Sequence, residues 1–249
     1  MRYLKKSVNL VVLFVMLPAL FASTLAAERG WKTISPHDLR QIPAGKIPVL
    51  INTMSHLECL DHSIPGSLCI PAEEFEKNIS QLPPEKSTML VLYCESETLW
   101  RSCEAADVAV KNGYTQVTVL EGGLPAWKKS GYETVSVERI PRMAVPSIKP
   151  PILKQWLTEK RDFLLVDIRP EKLFRQGHIE GAVNIPLYQL HLRYGELPLK
   201  RLVILVDNRG FRTSLAASYL IRKGFEVRRL FGGMAKWETM IAREKAAKK

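Results

Sequence analysis

Along the chain, apolar residues gather into short runs the length of a β-strand, and the stretches between them carry helix-start and helix-stop residues. Pro48–Asn52, Met89–Tyr93 and Gln116–Leu120 read as strands. Thr33–Gln41 opens a helix with Ser35 as N-cap and Pro36 at its first position. A loop through Ile64-Pro65-Gly66, a second short apolar run and Pro83-Pro84 lead to the Met89–Tyr93 strand. Ser102–Lys111 reads as a helix that Gly113 stops, and Glu121-Gly122-Gly123-Leu124-Pro125-Ala126-Trp127 turns into a last short helix. Strand and helix alternate, which predicts an α/β unit with a parallel sheet.

The pattern breaks over residues 136–151, where Pro141, Pro146, Pro150 and Pro151 fall with little periodicity. This is the composition of a semi-rigid linker. Beyond it the pattern returns. Leu202–Val206 matches the strand before Cys94, Arg212-Thr213 matches Arg101-Ser102, and Ala216-Ala217 matches Ala105-Ala106. Gly224-Phe225, Gly232-Gly233 and Trp237 match Gly113-Tyr114, Gly122-Gly123 and Trp127. The offset is 111 at the arginines and 110 at the glycine pairs, so the register holds with one small gap. The chain is a tandem duplication, with one domain expected over 32–135 and a second over 152–246.

The N-terminus carries Arg2, Lys5 and Lys6, then an uncharged run from Ser7 to Ala27 centred on Leu10–Phe21, then small residues around Ala22 to Ala27. This is the layout of a secretory signal peptide over residues 1–26, cut after Ala26 or Ala27, with Pro18 and the small residues arguing against a retained anchor. The formal charge of +11 loses three of its cations with that leader, leaving +8. Export argues against a nucleic-acid partner for this basic chain, and the aromatic-basic interleaving of single-strand binders is lacking. With 46% hydrophobic and 24% charged residues the chain has a globular composition. The expected location is the periplasm, with no stable membrane insertion after cleavage.

Cys59, Cys69, Cys94 and Cys103 all lie in the first half. Four cysteines in an oxidising compartment allow three complete pairings. If Cys94 serves as a nucleophile it has to stay reduced, which makes Cys59 with Cys69 the preferred pair. His56, Cys59, His62 and Cys69 are zinc-ligand types, but their spacing fits no usual finger, and no metal is expected.

Cys94 stands where a strand turns into a helix. A thiol among the unpaired N–H groups of a helix start is favoured as thiolate, and Arg101 adds a forked donor able to hold an oxyanion beside the sulfur. The same position in the second copy is Asp207, followed by Arg212. The first loop is two residues longer, and only it has a sulfur nucleophile. Asp207 is well placed to stabilise its turn, and pairing with Arg209 or Arg212 is favoured over anion binding there. His178 reads as structural, and Trp127 and Trp237 as core anchors.

These residues resemble the rhodanese (sulfurtransferase) family, whose pattern is a Cys-x-x-Gly-x-Arg-Ser loop after a strand, a Gly-Tyr helix stop and a Gly-Gly-x-x-x-Trp close. The second copy follows its frame through Leu165-Val166-Asp167-Ile168-Arg169, Gly177-His178-Ile179-Glu180-Gly181-Ala182-Val183-Asn184-Ile185-Pro186 and Asp207–Thr213. The first keeps Ile64-Pro65-Gly66-Ser67 and Ile70-Pro71, with Asn52 and Met54 where Asp and Arg are usual. The resemblance implies two tandem rhodanese-like domains, each a parallel sheet with helices on both faces. It implies Cys94 as nucleophile, Arg101 as anion clamp, and a cradle of Glu95, Ser96, Glu97, Thr98, Leu99, Trp100 and Ser102. Asp207 and Arg212 mark an inactive equivalent.

Sulfur would pass from a small sulfur-containing anion such as thiosulfate, through a Cys94 persulfide, to a thiol acceptor. No cofactor is implied, and a protein partner stays open. The loop lacks the family's glycine, and Glu95 and Glu97 disfavour the thiolate and repel thiosulfate unless they point away. The alternatives are a non-catalytic sulfur- or anion-binding or partner-docking module, disulfide exchange through Cys94 and Cys103, and phosphatase or arsenate reductase chemistry. The last fits less well: relatives of that kind have five residues between Cys and Arg, and here there are six.

Overall fold

The computed structural model describes residues 29–95, 100–210 and 212–247; the leader expected over 1–26 lies outside them. Two five-stranded parallel sheets are flanked by helices. The first has strand order β1-β5-β4-β2-β3, built from β1 (Lys32–Ile34), β2 (Val49–Asn52), β3 (Leu68–Cys69), β4 (Leu90–Tyr93) and β5 (Val117–Leu120). The second has order β6-β10-β9-β7-β8, from β6 (Ser147–Ile148), β7 (Leu164–Asp167), β8 (Val183–Asn184), β9 (Val203–Val206) and β10 (Val227–Leu230). The two orders are the same, position for position, so the duplication read from sequence is a duplication of topology.

Central strands β4 and β9 are buried at every position, as befits strands covered on both faces. Nine α-helices occur among the described residues: α1 (Pro36–Arg40), α2 (His56–Asp61), α3 (Trp100–Lys111), α4 (Gly123–Lys129), α5 (Pro150–Thr158), α6 (Glu171–Gln176), α7 (Leu187–Arg193), α8 (Thr213–Arg222) and α9 (Gly233–Ala246). Ser35 caps α1 by accepting from the Asp38 N–H at 3.1 Å. The helix begins only at Pro36, because Thr33 lies in β1, which pairs with β5. The proline-rich stretch 136–151 contains β6 and the start of α5. Pro150 and Pro151 sit at the first positions of α5, where the missing N–H costs nothing and the fixed φ favours the helix.

The described residues pack into two compact units: those of 29–51 with 75–132, and those of 52–74 with 133–247. Segment 52–74 belongs to the first copy by sequence, yet it packs with the second unit. There Leu57 of α2 is buried in one core cluster with Ile140, Leu187, Leu190 and Leu205.

Within the second unit a buried ion pair, Arg169 with Asp167, ties the end of β7 to the end of α6. The Arg169 guanidinium donates to both carboxylate oxygens at 2.7–3.0 Å and to the Gly177 carbonyl at 2.6 Å. The corresponding Asn52 and Met54 are also buried. Asn52 Oδ1 accepts from the Met54 N–H at 3.1 Å, where Asp167 Oδ1 accepts from the Arg169 N–H at 2.9 Å. The first copy thus keeps the turn and drops both charges together, leaving no buried charge without its counterpart.

Candidate functional site

Cys94 follows β4 directly and lies at the carboxyl end of the sheet, the edge where open parallel sheets place their ligands. Its residue is fully buried, and its carbonyl accepts from the Leu124 N–H at 2.8 Å, just past Gly122-Gly123. Ser102 Oγ, at the start of α3, donates to Cys94 Sγ at 3.5 Å. The sulfur is therefore held between a strand end and the first turn of a helix, with one hydroxyl donor aimed at it.

Arg101 is 1% exposed, and its Nη1 lies 3.5 Å from both carboxylate oxygens of Glu95. A buried guanidinium needs an opposing charge, and Glu95 supplies one from inside the loop. Glu95 therefore points at the clamp, where its charge competes with an incoming anion for Arg101. Trp100 is 39% exposed, and the Arg101 guanidinium carbon lies 5.3 Å from its ring centre. Ser96, Glu97, Thr98 and Leu99 lie outside the described residues, so of the expected cradle only Glu95, Trp100 and Ser102 are placed, with the clamp Arg101. Cys103 is a thiol like Cys94, with no disulfide between them. Burial, then the neighbouring Cys94, push the Cys103 thiol up to about 11, which keeps it protonated at neutral pH.

The second copy repeats the frame and fills it differently. The Asp207 carbonyl accepts from the Met234 N–H at 2.8 Å, the counterpart of Leu124 on Cys94. Gly233 has a positive φ of 57°, and a Cβ there would come within 2.4 Å of the Asp207 carbonyl oxygen, so this close approach requires glycine. Asp207 is 5% exposed. Its carboxylate takes the loop's own amides: Oδ1 accepts from the Gly210 N–H, and Oδ2 from the Arg212 N–H at 2.8 Å. It is the backbone of Arg212 that reaches Asp207. The nest of N–H groups that could receive an external anion holds an internal carboxylate instead.

The remaining singled-out residues fall elsewhere. His178 is exposed, stacked on Phe174 with ring centres 3.9 Å apart. Trp127 is buried beside Tyr132, and Trp237 packs on the second core. Cys59 and Cys69 are joined in a disulfide, and His62 Nε2 lies 3.5 Å from Asp61. Sequence reasoning missed His191, whose ring centre lies 4.5 Å from that of His56. No local pattern announces a contact made across 135 positions of sequence.

The Rhodanese-like domain family matches residues 35–130 and again residues 149–240. The chain belongs to that family. Its rhodanese-like sequence is 36% identical over 86 residues to a sulfurtransferase of Allochromatium vinosum, covering 34% of this chain and 80% of that one. It is 35% identical over 82 residues to the thiosulfate sulfurtransferase GlpE of Shewanella oneidensis, covering 32% of this chain and 81% of that protein. With the thiosulfate sulfurtransferase of Gallus gallus it shares 29% identity over 147 residues, 52% of this chain and about half (51%) of the relative. A crystal structure of a thiosulfate sulfurtransferase from Pseudomonas aeruginosa aligns over 85% of this chain and 45% of its own length, with a TM-score of 0.41 and 22% identity.

Proposed function

We propose that this rhodanese-like chain is a sulfurtransferase that carries sulfane sulfur on Cys94, with Asp207 marking a second loop that does no chemistry. The observation that carries the reading is the pairing of Cys94 Sγ with the Ser102 hydroxyl at 3.5 Å, beside the buried cation of Arg101. In the step proposed, the Cys94 thiolate attacks the outer sulfur of thiosulfate. The S–S bond breaks, sulfite leaves with the electron pair, and Cys94 becomes a persulfide. An acceptor thiolate then attacks the terminal sulfur, takes it away as its own persulfide, and returns Cys94 to thiolate. Arg101 stabilises the anionic sulfur species, and the Ser102 O–H donates to the Cys94 sulfur. The leader and the basic mature chain fit work in a periplasm, on small sulfur anions and thiol acceptors.

The test is intact-mass spectrometry of the reduced mature protein after incubation with thiosulfate, beside a Cys94→Ser variant. A gain of one sulfur that the variant lacks is the expected result. A second reading is favoured by one observation, the carboxylate of Glu95 on Arg101. An anion clamp already neutralised from within suits a module that docks a partner and turns nothing over. Absence of the added sulfur, with Cys94 shown to alkylate as a thiol, would sink thiosulfate transfer and leave that reading.

A further inference from the structure

The second unit holds a cavity of about 340 Å³, remote in sequence from the Cys94 loop and lined by Cys59, Cys69, His56, His191, Val135 and Val137. Its size is that of a small-molecule site, and most of its wall is apolar. What sets it apart is that a disulfide forms part of the wall, with Cys59 7% exposed and Cys69 more open. His56 Nδ1 lies 3.6 Å from Cys69 Sγ, while its Nε2 lies 3.9 Å from Glu74 Oε2. Carboxylate, imidazole and sulfur stand in sequence, the order in which an acid orients a base and the base serves a nucleophile. His191 packs against the same imidazole and closes that side of the cavity. A disulfide that only braced a loop would need neither the space nor the imidazole.

We propose that Cys59–Cys69 is a redox-active pair that exchanges with small thiols entering this cavity, with Cys69 the sulfur attacked and His56 the group that moves its proton. An incoming thiol gives its proton to His56 and attacks Cys69 Sγ as thiolate. The Cys59–Cys69 bond breaks, a mixed disulfide forms on Cys69, and Cys59 leaves with the electron pair and takes up a proton. A second thiolate attacks the sulfur of the first thiol. Cys69 leaves as thiolate and recovers a proton from His56. Two thiols are oxidised to one disulfide, and the protein disulfide is reduced to a dithiol. Run in reverse, the dithiol reduces a small disulfide, with Cys69 attacking and Cys59 resolving. The exchange uses no residue of the Cys94 loop, so it stands or falls apart from sulfur transfer.

The experiment uses the full mature chain carrying Cys94→Ser and Cys103→Ser, oxidised, with 2-mercaptoethanol as the probe. Disulfide opening is followed by alkylation and mass spectrometry. The expected rate is first order in thiol and unchanged by urea below the unfolding transition. It falls about 10-fold or more in His56→Gln, whose pH profile also loses the limb set by the imidazole. His191→Gln, which alters the wall without touching the sulfur, should stay within about twofold of the parent, since no proton passes through it. Adding Cys59→Ser should trap the mixed disulfide on Cys69 when the probe is supplied as its own disulfide. Should that variant not fold, the rates on the oxidised chain decide alone. A rate independent of thiol and rising with urea, or one equal in His56→Gln and the parent, would overturn the proposal.

Discussion

In the Cys94 loop one buried arginine faces two kinds of anion, the Glu95 carboxylate already 3.5 Å from its Nη1 and any sulfur oxyanion brought to Cys94. A dianion such as thiosulfate approaching Arg101 meets that carboxylate as a repulsive charge, partly screened because Glu95 is 29% exposed. Glu95→Gln keeps the shape and an acceptor for Arg101 while removing the charge. It should lower KM for thiosulfate about fivefold, equivalent to the roughly 1 kcal/mol that a unit charge about 4 Å away exerts at a water-like dielectric. Steady-state kinetics at two ionic strengths check this, and high salt should narrow the gap between variant and parent. Asp207 makes the opposite case, an internal carboxylate that completes its loop. Asp207→Ala leaves the Gly210 and Arg212 N–H groups without their acceptor in a buried turn, and should cost about 2–4 kcal/mol in urea unfolding. No change in the unfolding midpoint would show that solvent replaces the carboxylate without loss.

Among the elements, the turn after the second strand of each copy offers a natural double substitution. Asp167→Asn alone strands the buried Arg169 charge and should destabilise by about 3–5 kcal/mol. Asp167→Asn with Arg169→Met recreates what the first copy does with Asn52 and Met54, and should recover most of that loss. Chemical denaturation of the two variants decides, and equal losses would mean the charges act separately. This comparison is open to sequence reading because the copies can be set side by side. The central strands are equally plain, since Leu90–Tyr93 and Val203–Val206 are uninterrupted apolar runs at full burial. Short elements escape such reading. Lys32–Ile34 is three residues joined to β5, too brief for a period to show. The six residues of α2 carry one overlooked signal, a capping box in which the Ser55 hydroxyl and the Glu58 side chain satisfy each other's N–H groups. Of the candidate site, Cys94, Arg101 and Ser102 are legible, because a loop after a strand is a local pattern. The Glu95–Arg101 pair and the His56–His191 contact are not, because both depend on where side chains come to rest in the fold.

At the scale of the whole molecule, sequence copy and packing unit are different divisions, and segment 52–74 is where they part. In the second unit α2 packs on α7, with Leu57 in the core and His56 against His191. Burial of His191 in this packing, with His56 beside it, should make the unit sensitive to acid. An unfolded imidazole titrates near 6.5, whereas His191 in the folded chain is lowered to about 4, first by burial and then by the adjacent His56. His56 is lowered in the same sense by burial, against the opposing pull of Glu74. Between those two pH values the unfolded chain binds more protons than the native one. Stability is therefore at its full value above pH 6.5, falls as pH drops toward 4, and loses nothing more from this group below that. Carboxylates titrate in the same window, so the parent must be compared with His191→Leu, which removes the titrating ring and keeps an apolar side chain against α2. The variant should lose less melting temperature than the parent between pH 7 and pH 4, with the gap opening below about 6.5, where the unfolded imidazole begins to charge. Hydrogen exchange along β7 and β9, read at both pH values, would place the effect in the second unit. Parallel melting curves for the two chains would mean that α2 and α7 admit the charged imidazole, and that the segment is held by Leu57 and its apolar neighbours alone.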